Sequence, residues 1–501
     1  MDSLALLLGG FEHALTLWNL LYCLIGVSIG MFVGVLPGLG PVAGTALLIP
    51  LTFGMEPISA IIMLSGIFYG SMYGGTITSV LINTPGESAS VVTCIDGYQM
   101  ARQGRAGTAL GVAAIGSFIG GIAAILGLTF LGPPLAEFAL KFGPPEYFSL
   151  LLLGLLMLVG LMGKSVIRGL IAACFGLLLS LIGMDPVSGA IRFTFGQMEL
   201  MEGLDFVVVA MGLFGISEIL LNAENHMKME TPAKIQGLLP KRDEWKPTIK
   251  SIGRGTVLGF LIGLIPGANA AIASILSYSL EKKIAKDPSR FGKGAIEGVA
   301  GPETANNAHS GAAMIPLFTL GIPSSPTVAV ILGAFIMHGL TPGPQLFQNN
   351  PDFVWGVIAS MFVGNVILLI FNLPLARVWA KIAMVPYEIL FPLILILSVV
   401  GVYSINSSLW DVWMMILFGV IGYLMKKLDL PIAATVLTFV LGSQIESTLL
   451  QSLATSQNGL LIFFERPISG TLISLGIVIL VISLISGIKK KRSTLVNDFE
   501  M

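Results

Sequence analysis

Charge is scarce in this chain. Only 11% of its 501 residues are Asp, Glu, Lys or Arg and 54% are hydrophobic, where an ordinary soluble domain carries roughly 25% charged residues. That composition excludes a soluble enzyme or binding module. It points to an all-α polytopic membrane protein, because a backbone in hydrocarbon must satisfy its own hydrogen bonds and helices do so locally. Cysteine is scarce as well. Cys23, Cys94 and Cys174 stand far apart in apolar runs, with neither disulfide nor metal spacing, and read as small buried hydrophobes. The opening MDSLALLLGGFEHALTLW has no basic residue ahead of its apolar part, so no cleaved signal peptide is expected. No HExxH, no Walker loop and no workable Ser/His/Asp set occurs, which argues against an enzyme, a cofactor and ATP hydrolysis on this chain. The net charge of −1, with no basic patch, gives nucleic acid no footing.

What is present is a series of apolar segments. Runs long enough to cross a bilayer, about 17–25 residues, fall near 109–131, 147–163, 204–221, 353–373, 385–403, 411–425, 431–447 and 470–488. Shorter or interrupted runs fall at 17–54, 58–96, 169–183, 253–280 and 294–337. A polar stretch from Asn222 to Lys250, with Pro232, Pro240 and Pro247, divides the chain. The two sides repeat each other. GVLPGLGPVAG from Gly34 matches GLIPGANAAIA from Gly263, and LINTPGESA from Leu81 matches TLGIPSSPT from Thr319, which pairs Pro85 with Pro323. PPEYFSLLLLGLL from Pro144 resembles VPYEILFPLILIL from Val385, and FGLLLSLIG from Phe175 resembles FGVIGYLMK from Phe418. The expected organisation is a first membrane repeat over 1–221, a cytoplasmic linker over 222–251, a second repeat over 252–488 and a cytoplasmic tail over 489–501.

Lys and Arg stay on the cytoplasmic side of a membrane protein. Apart from Lys141, Arg192 and Arg466, all 27 basic residues fall at 102–105, 164–168, 228–254, 282–293, 377–381, 426–427 and 489–492. One topology puts all of these inside. It makes 253–280 a hairpin that enters from the cytoplasm and turns at Pro266-Gly267. The matching 17–54 then enters from outside, flanked by Asp2, Glu12 and Glu56, and turns at Pro37-Gly38. Each half has two re-entrant helical hairpins and about five full spans, so the second half is an inverted repeat of the first. That is the plan of many secondary transporters, with the site at the repeat interface near the midplane. It also fits an elevator in which the hairpins move against a scaffold of later spans. The competing reading makes 17–36 and 253–280 ordinary spans.

The chemistry gathers at 294–327, GAIEGVAGPETANNAHSGAAMIPLFTLGIPSSPT. Polar residues persist in hydrocarbon mainly where they face a bundle interior or a water-filled path. Helical spacing sets Glu303 beside Asn306 and Asn307. Glu303 can hold a cation or a proton, and it can also cap a broken helix. His309 reads either as a titrating group or as a satisfied interior histidine. The first half offers hydroxyls at the matching stretch, Tyr69, Ser71, Tyr73, Thr76 and Ser79, and no carboxylate. Two proline-broken tips follow: Asn83, Thr84, Pro85, Gly86, Glu87 and Ser88, then Gly321, Ile322, Pro323, Ser324, Ser325 and Pro326. Freed N–H groups and hydroxyls at such breaks suit a carboxylate. The tips at Pro37-Gly38 and at Pro266, Gly267 and Asn269 can offer oxygen ligands to Na+, or can simply be tight turns.

These stretches resemble the large membrane subunit of the tripartite tricarboxylate transporter family. The resemblance rests on GVLPGLGPVAG, on YGGTITSVLINTPGESASVVTCIDGYQMARQGRAGTALG, on PETANNAHSGAAMIPLFTLGIPSSP and on the PG-plus-Asn element at 266–269. It implies a bacterial inner-membrane symporter for a small tri- or dicarboxylate such as citrate, driven by a cation gradient, typically Na+. The N-terminus would be periplasmic and the C-terminus cytoplasmic. It also implies a small membrane subunit and a periplasmic solute-binding protein as partners, and leaves room for a homodimer. Carried onto this chain, substrate contacts fall at Asn83 to Ser88 and at Gly321 to Ser325, with Asn306 and Asn307 beside them. Cation contacts fall around Pro37-Gly38, Pro266 to Asn269 and Glu303. Ser324 departs from the family, where glycine usually follows the proline. The alternative expectation is a channel-like or structural subunit without coupled transport of its own.

Overall fold

Apolar side chains in this chain face lipid or one another, and proline and glycine decide where its helices stop. A computed structural model describes all residues except 1–2, 37, 163–164, 186–188, 225–234, 383–384, 386 and 500–501. Asp2, Lys164, Lys228, Pro232 and Lys234 therefore lie outside the described residues. The first half runs through α1 (Ser3–Ala14), α2 (Leu17–Val35), α3 (Gly40–Leu48), α4 (Pro57–Ile82), α5 (Val91–Arg102), α6 (Ala106–Ala139), α7 (Pro144–Met162) and α8 (Val166–Ser180). A two-stranded antiparallel ribbon follows, β1 (Gly183–Met184) with β2 (Ile191–Arg192). Next, α9 (Phe206–Ala210) passes through a π-helical turn, Met211–Ile216, into α10 (Ser217–Glu224).

The second half begins with α11 (Trp245–Gly263), α12 (Ala270–Ile284), α13 (Glu297–Ala312), α14 (Met314–Leu320) and α15 (Pro326–Met337). It continues through α16 (Pro344–Asn349), α17 (Pro351–Asn372), α18 (Ala376–Ile382) and α19 (Tyr387–Asn406). It ends with α20 (Leu409–Lys427), α21 (Ile432–Thr455), α22 (Ile462–Glu465) and α23 (Pro467–Phe499).

Seven helical stretches among the described residues are long and apolar enough to cross a membrane, and a bent pair at 459–483 would be an eighth. The α2 helix, one arm of the 17–54 hairpin, and α4 are among the seven. The segments expected at 147–163 and 385–403 form helices of 19 and 20 residues, Pro144–Met162 and Tyr387–Asn406.

The helix breaks at the expected tips fall at or within two residues of a proline or glycine. Asn83 ends α4 and Gly321 ends α14, each in the left-handed region, with φ of 53° and 72°. Glycine or asparagine closes a helix there at little steric cost. Behind each, the next N–H reaches back to an equivalent carbonyl: Thr84 N to Thr78 O, and Ile322 N to Pro316 O. Ser325 caps α15 through the Val328 N–H and Asn269 caps α12 through the Ile272 N–H, satisfying donors that a helix start leaves open.

The halves share a glycine seam. An added Cβ at Gly26, Gly30 or Gly34 of α2 would strike the carbonyl oxygens of Met63, Ile67 and Ser71 on α4 at 2.2–2.4 Å. At Gly255, Gly259 and Gly263 of α11 it would strike those of Gly301, Ala305 and His309 on α13 at 2.2–2.6 Å. The register from Ser71 to His309 is the one that pairs Pro85 with Pro323. Contacts between the halves are reciprocal too. Helix α6 packs on α13 and α17 on α4; α5 packs on α12 and α15 on α3; α8 packs on α21 and α20 on the π turn.

The basic loops also meet. Arg105 pairs with Glu244, Gln103 donates to Lys293 O, and Arg377 reaches Ile235 O. Arg168 pairs with Asp429, and Lys427 with Glu224. Arg192 and Arg466 bond elsewhere, to Glu446 and Glu146. Ordered helix enters the 222–251 divider from both sides, since α10 runs to Glu224 and α11 starts at Trp245.

Candidate functional site

Helix α13 carries the polar face. Glu303, Asn306, Asn307 and His309 are each no more than 3% exposed, because α13 is wrapped by α4, α5, α6, α11 and α12. Thr76 of α4 donates to Glu303 Oε2 at 2.6 Å, and Thr93 of α5 donates to Oε1. Asn307 Nδ2 donates to Ser117 Oγ of α6 at 2.7 Å. Asn306 Nδ2 donates to Glu87 Oε1 at 3.1 Å, and Glu87 Oε2 also accepts the Ala89 N–H at 2.6 Å. His309 Nε2 meets the Ala268 carbonyl at 3.0 Å; a carbonyl only accepts, so this nitrogen carries the proton. One buried face of α13 thus joins the 83–90 loop and the 264–269 turn.

The breaks of each half also meet each other. In the first half Gly86 lies so close to the end of α2 that a Cβ there would be 2.0 Å from Gly34 O and 2.5 Å from Gly75 Cα. In the second half the same register brings Ser324 to Ala313, where its hydroxyl donates to the carbonyl at 3.0 Å. Ile322 and Pro266 both approach Gly154, midway along α7. Gly267, with φ of 80°, has no room for a side chain against Leu158 of α7. Gly38, with φ of 93°, is closed off by the Asn222 side chain.

The site residues read from the sequence fall into two groups. Glu303, Asn306 and Asn307 form one buried set with the 83–90 loop, and the tip at Gly321, Pro323, Ser324 and Ser325 is buried. Asn83 and Ser88 are exposed and Thr84 and Pro85 are half-buried, with Gly86 beneath them. No hydrogen bond joins the 83–88 and 321–325 tips among the described residues. Asn269 spends its side-chain oxygen on the α12 cap. Pro37 lies outside the described residues.

Two carboxylates escape a reading from the sequence. Glu87 stands inside a quoted motif, yet its contact with Asn306 spans the two halves. Asp96 of α5 accepts the N–H groups of Gly292, Gly294 and Ala295 on Oδ1 and the Tyr278 hydroxyl on Oδ2, all within 2.9 Å. Nothing local to either residue shows its partner in the other half. Among the described residues no three His, Cys, Asp or Glu gather as a metal cluster.

Comparisons with known proteins give a family and two relatives. Residues 20–437 match the model of the tripartite tricarboxylate transporter TctA family. Over 493 residues, 98% of both chains, the protein is 48% identical to the "uncharacterized 52.8 kDa protein in TAR-I ttuC' 3'region" of Agrobacterium vitis. It is 45% identical over 234 residues to an "uncharacterized protein in TAR-II ttuC' 3'region" of the same organism, covering 47% of this chain and 97% of that one. No solved structure matches the chain.

Proposed function

The chain belongs to the tripartite tricarboxylate transporter TctA family, and from that premise we propose that it is the large membrane subunit of a secondary, cation-coupled carboxylate carrier. The substrate is a small tri- or dicarboxylate such as citrate, and the coupling ion is Na+. A periplasmic binding protein delivers the substrate to the inner membrane, and a small membrane subunit completes the assembly. The observation that carries this reading is the buried row Glu303, Asn306, Asn307, bonded to helices α4 and α6 and, through Asn306, to the loop that breaks a helix at Asn83. Such polar groups persist at membrane depth where they line a solute path. No basic residue contacts that row among the described residues, so the acid is held by helix N-termini, hydroxyls and amides at the tips. The inverted arrangement of the halves and an elevator movement of the hairpins against α7–α10 and α19–α23 belong to the same proposal.

The test is uptake of radiolabelled citrate and related acids into proteoliposomes holding all three components. Saturable uptake that follows an inward Na+ gradient is expected. Glu303→Gln should lower Na+-driven uptake at least tenfold while the protein still inserts. Flux that neither saturates nor responds to Na+ and voltage would reduce the chain to a channel or a structural subunit.

A further inference from the structure

Glu87 holds its two oxygens toward pure donors. The Ala89 backbone N–H and the Asn306 amide nitrogen can only give hydrogen bonds. Both are bonds that a carboxylate accepts, and among the described residues no Lys or Arg pairs with it. Asn306 is fully buried, and its Oδ1 has no hydrogen-bond partner. One turn on, His309 Nδ1 is buried and unpartnered as well. The centre therefore has acceptors to spare and no donor for them. A buried polar atom left unpaired destabilises the fold, and an isolated buried anion does so more.

We propose that Glu87 and Asn306 hold a monovalent cation of the Na+ class between the two halves. A proton would serve less well. It would neutralise Glu87, yet one end of the Asn306 amide would stay unpaired whichever way the amide is turned. A metal ion satisfies the carboxylate and the amide oxygen together. Glu303, the neighbouring carboxylate, accepts a threonine hydroxyl on each oxygen and adds negative field to the site. The rest of the ion's shell must come from water or backbone carbonyls. This site deepens the proposed function by naming the ion's ligands, and rests on that reading only for the ion's purpose in transport.

Binding of 22Na+ to the purified full-length chain in detergent, with choline as the replacement cation and no substrate, tests the site apart from transport. The wild type should bind 22Na+, and unlabelled Na+ should compete it off. Glu87→Gln and Asn306→Ala should each raise the competing midpoint at least tenfold, and Cys174→Ser should leave it unchanged. Asn306→Ala alters no charge and decides the matter if Glu87→Gln yields no folded protein. A wild-type midpoint in Asn306→Ala, or a wild-type chain that binds no 22Na+, overturns the site. Normal 22Na+ binding with no Na+-driven uptake would instead support the site and count against the transport reading.

Discussion

At the scale of single residues, Gly86 and Ser324 occupy equivalent places with opposite tolerance. Backbone atoms of Gly34 and Gly75 enclose Gly86 on two sides, at distances that no side chain can share. In the second half there is room for a hydroxyl, and Ser324 uses it to bond the Ala313 carbonyl. Gly86→Ser should therefore force the 83–90 loop away from α2, a backbone clash that flexible side chains cannot absorb. Ser324→Gly gives up one buried hydrogen bond, worth about 1 kcal/mol. Melting temperature in detergent and uptake in proteoliposomes should both fall sharply for Gly86→Ser and only slightly for Ser324→Gly. Equal effects would mean that Gly86 is not enclosed by the Gly34 and Gly75 backbone. The tip of the second half is thus propped by its own side chain.

At the scale of helices, the seams hold α2 to α4 and α11 to α13. Small residues let backbones approach in a membrane, where the hydrophobic effect gives helices no reason to associate. Gly259→Ala puts a methyl 2.2 Å from Ala305 O and should destabilise the protein by about 1–3 kcal/mol, the usual range for overpacking. Gly253→Ala, on the same helix with open space around it, should be neutral or stabilising by up to about 1 kcal/mol. Thermal unfolding of both variants checks the contrast. The breaks were legible because proline and glycine act on their own neighbours, so α4, α12, α14 and α15 end or begin where the motifs indicate. The seam was not read, although Gly26, Gly30 and Gly34 recur every fourth residue, because a spacing gains meaning only from the helix that faces it. Asp96 and Glu87 stayed hidden for the same reason: their partners lie in the other half. Helix ends also overran the apolar segments. Helix α21 continues to Thr455 past Gln444 and Glu446, since hydropathy marks a membrane boundary and not the end of a hydrogen-bonded helix.

At the scale of the whole molecule, the reciprocal contacts imply a two-fold relation between the halves, and the question left is the direction of its axis. An axis along the membrane normal would put equivalent hairpins on the same side; an axis in the membrane plane would put them on opposite sides. The open end of the α11–α12 hairpin carries Lys246, Lys250, Lys282 and Lys283, whereas the chain has no Lys or Arg at all before Arg102. Basic residues are retained in the cytoplasm, so charge this unequal favours the in-plane axis that the proposed inverted arrangement requires. The basic loops 103–105, 235–244 and 290–297 and Arg377 are tied to one another, as loops on one side of a membrane would be. Single cysteines at Phe53, exposed between α3 and α4, and at Ser289, exposed between α12 and α13, separate the two axes. They are placed in a chain whose three native cysteines are replaced. A membrane-impermeant maleimide should label Phe53→Cys in intact cells, and should label Ser289→Cys only after the cells are opened. Labelling of both from the same side would place the axis along the membrane normal, and the inverted arrangement would fall with it.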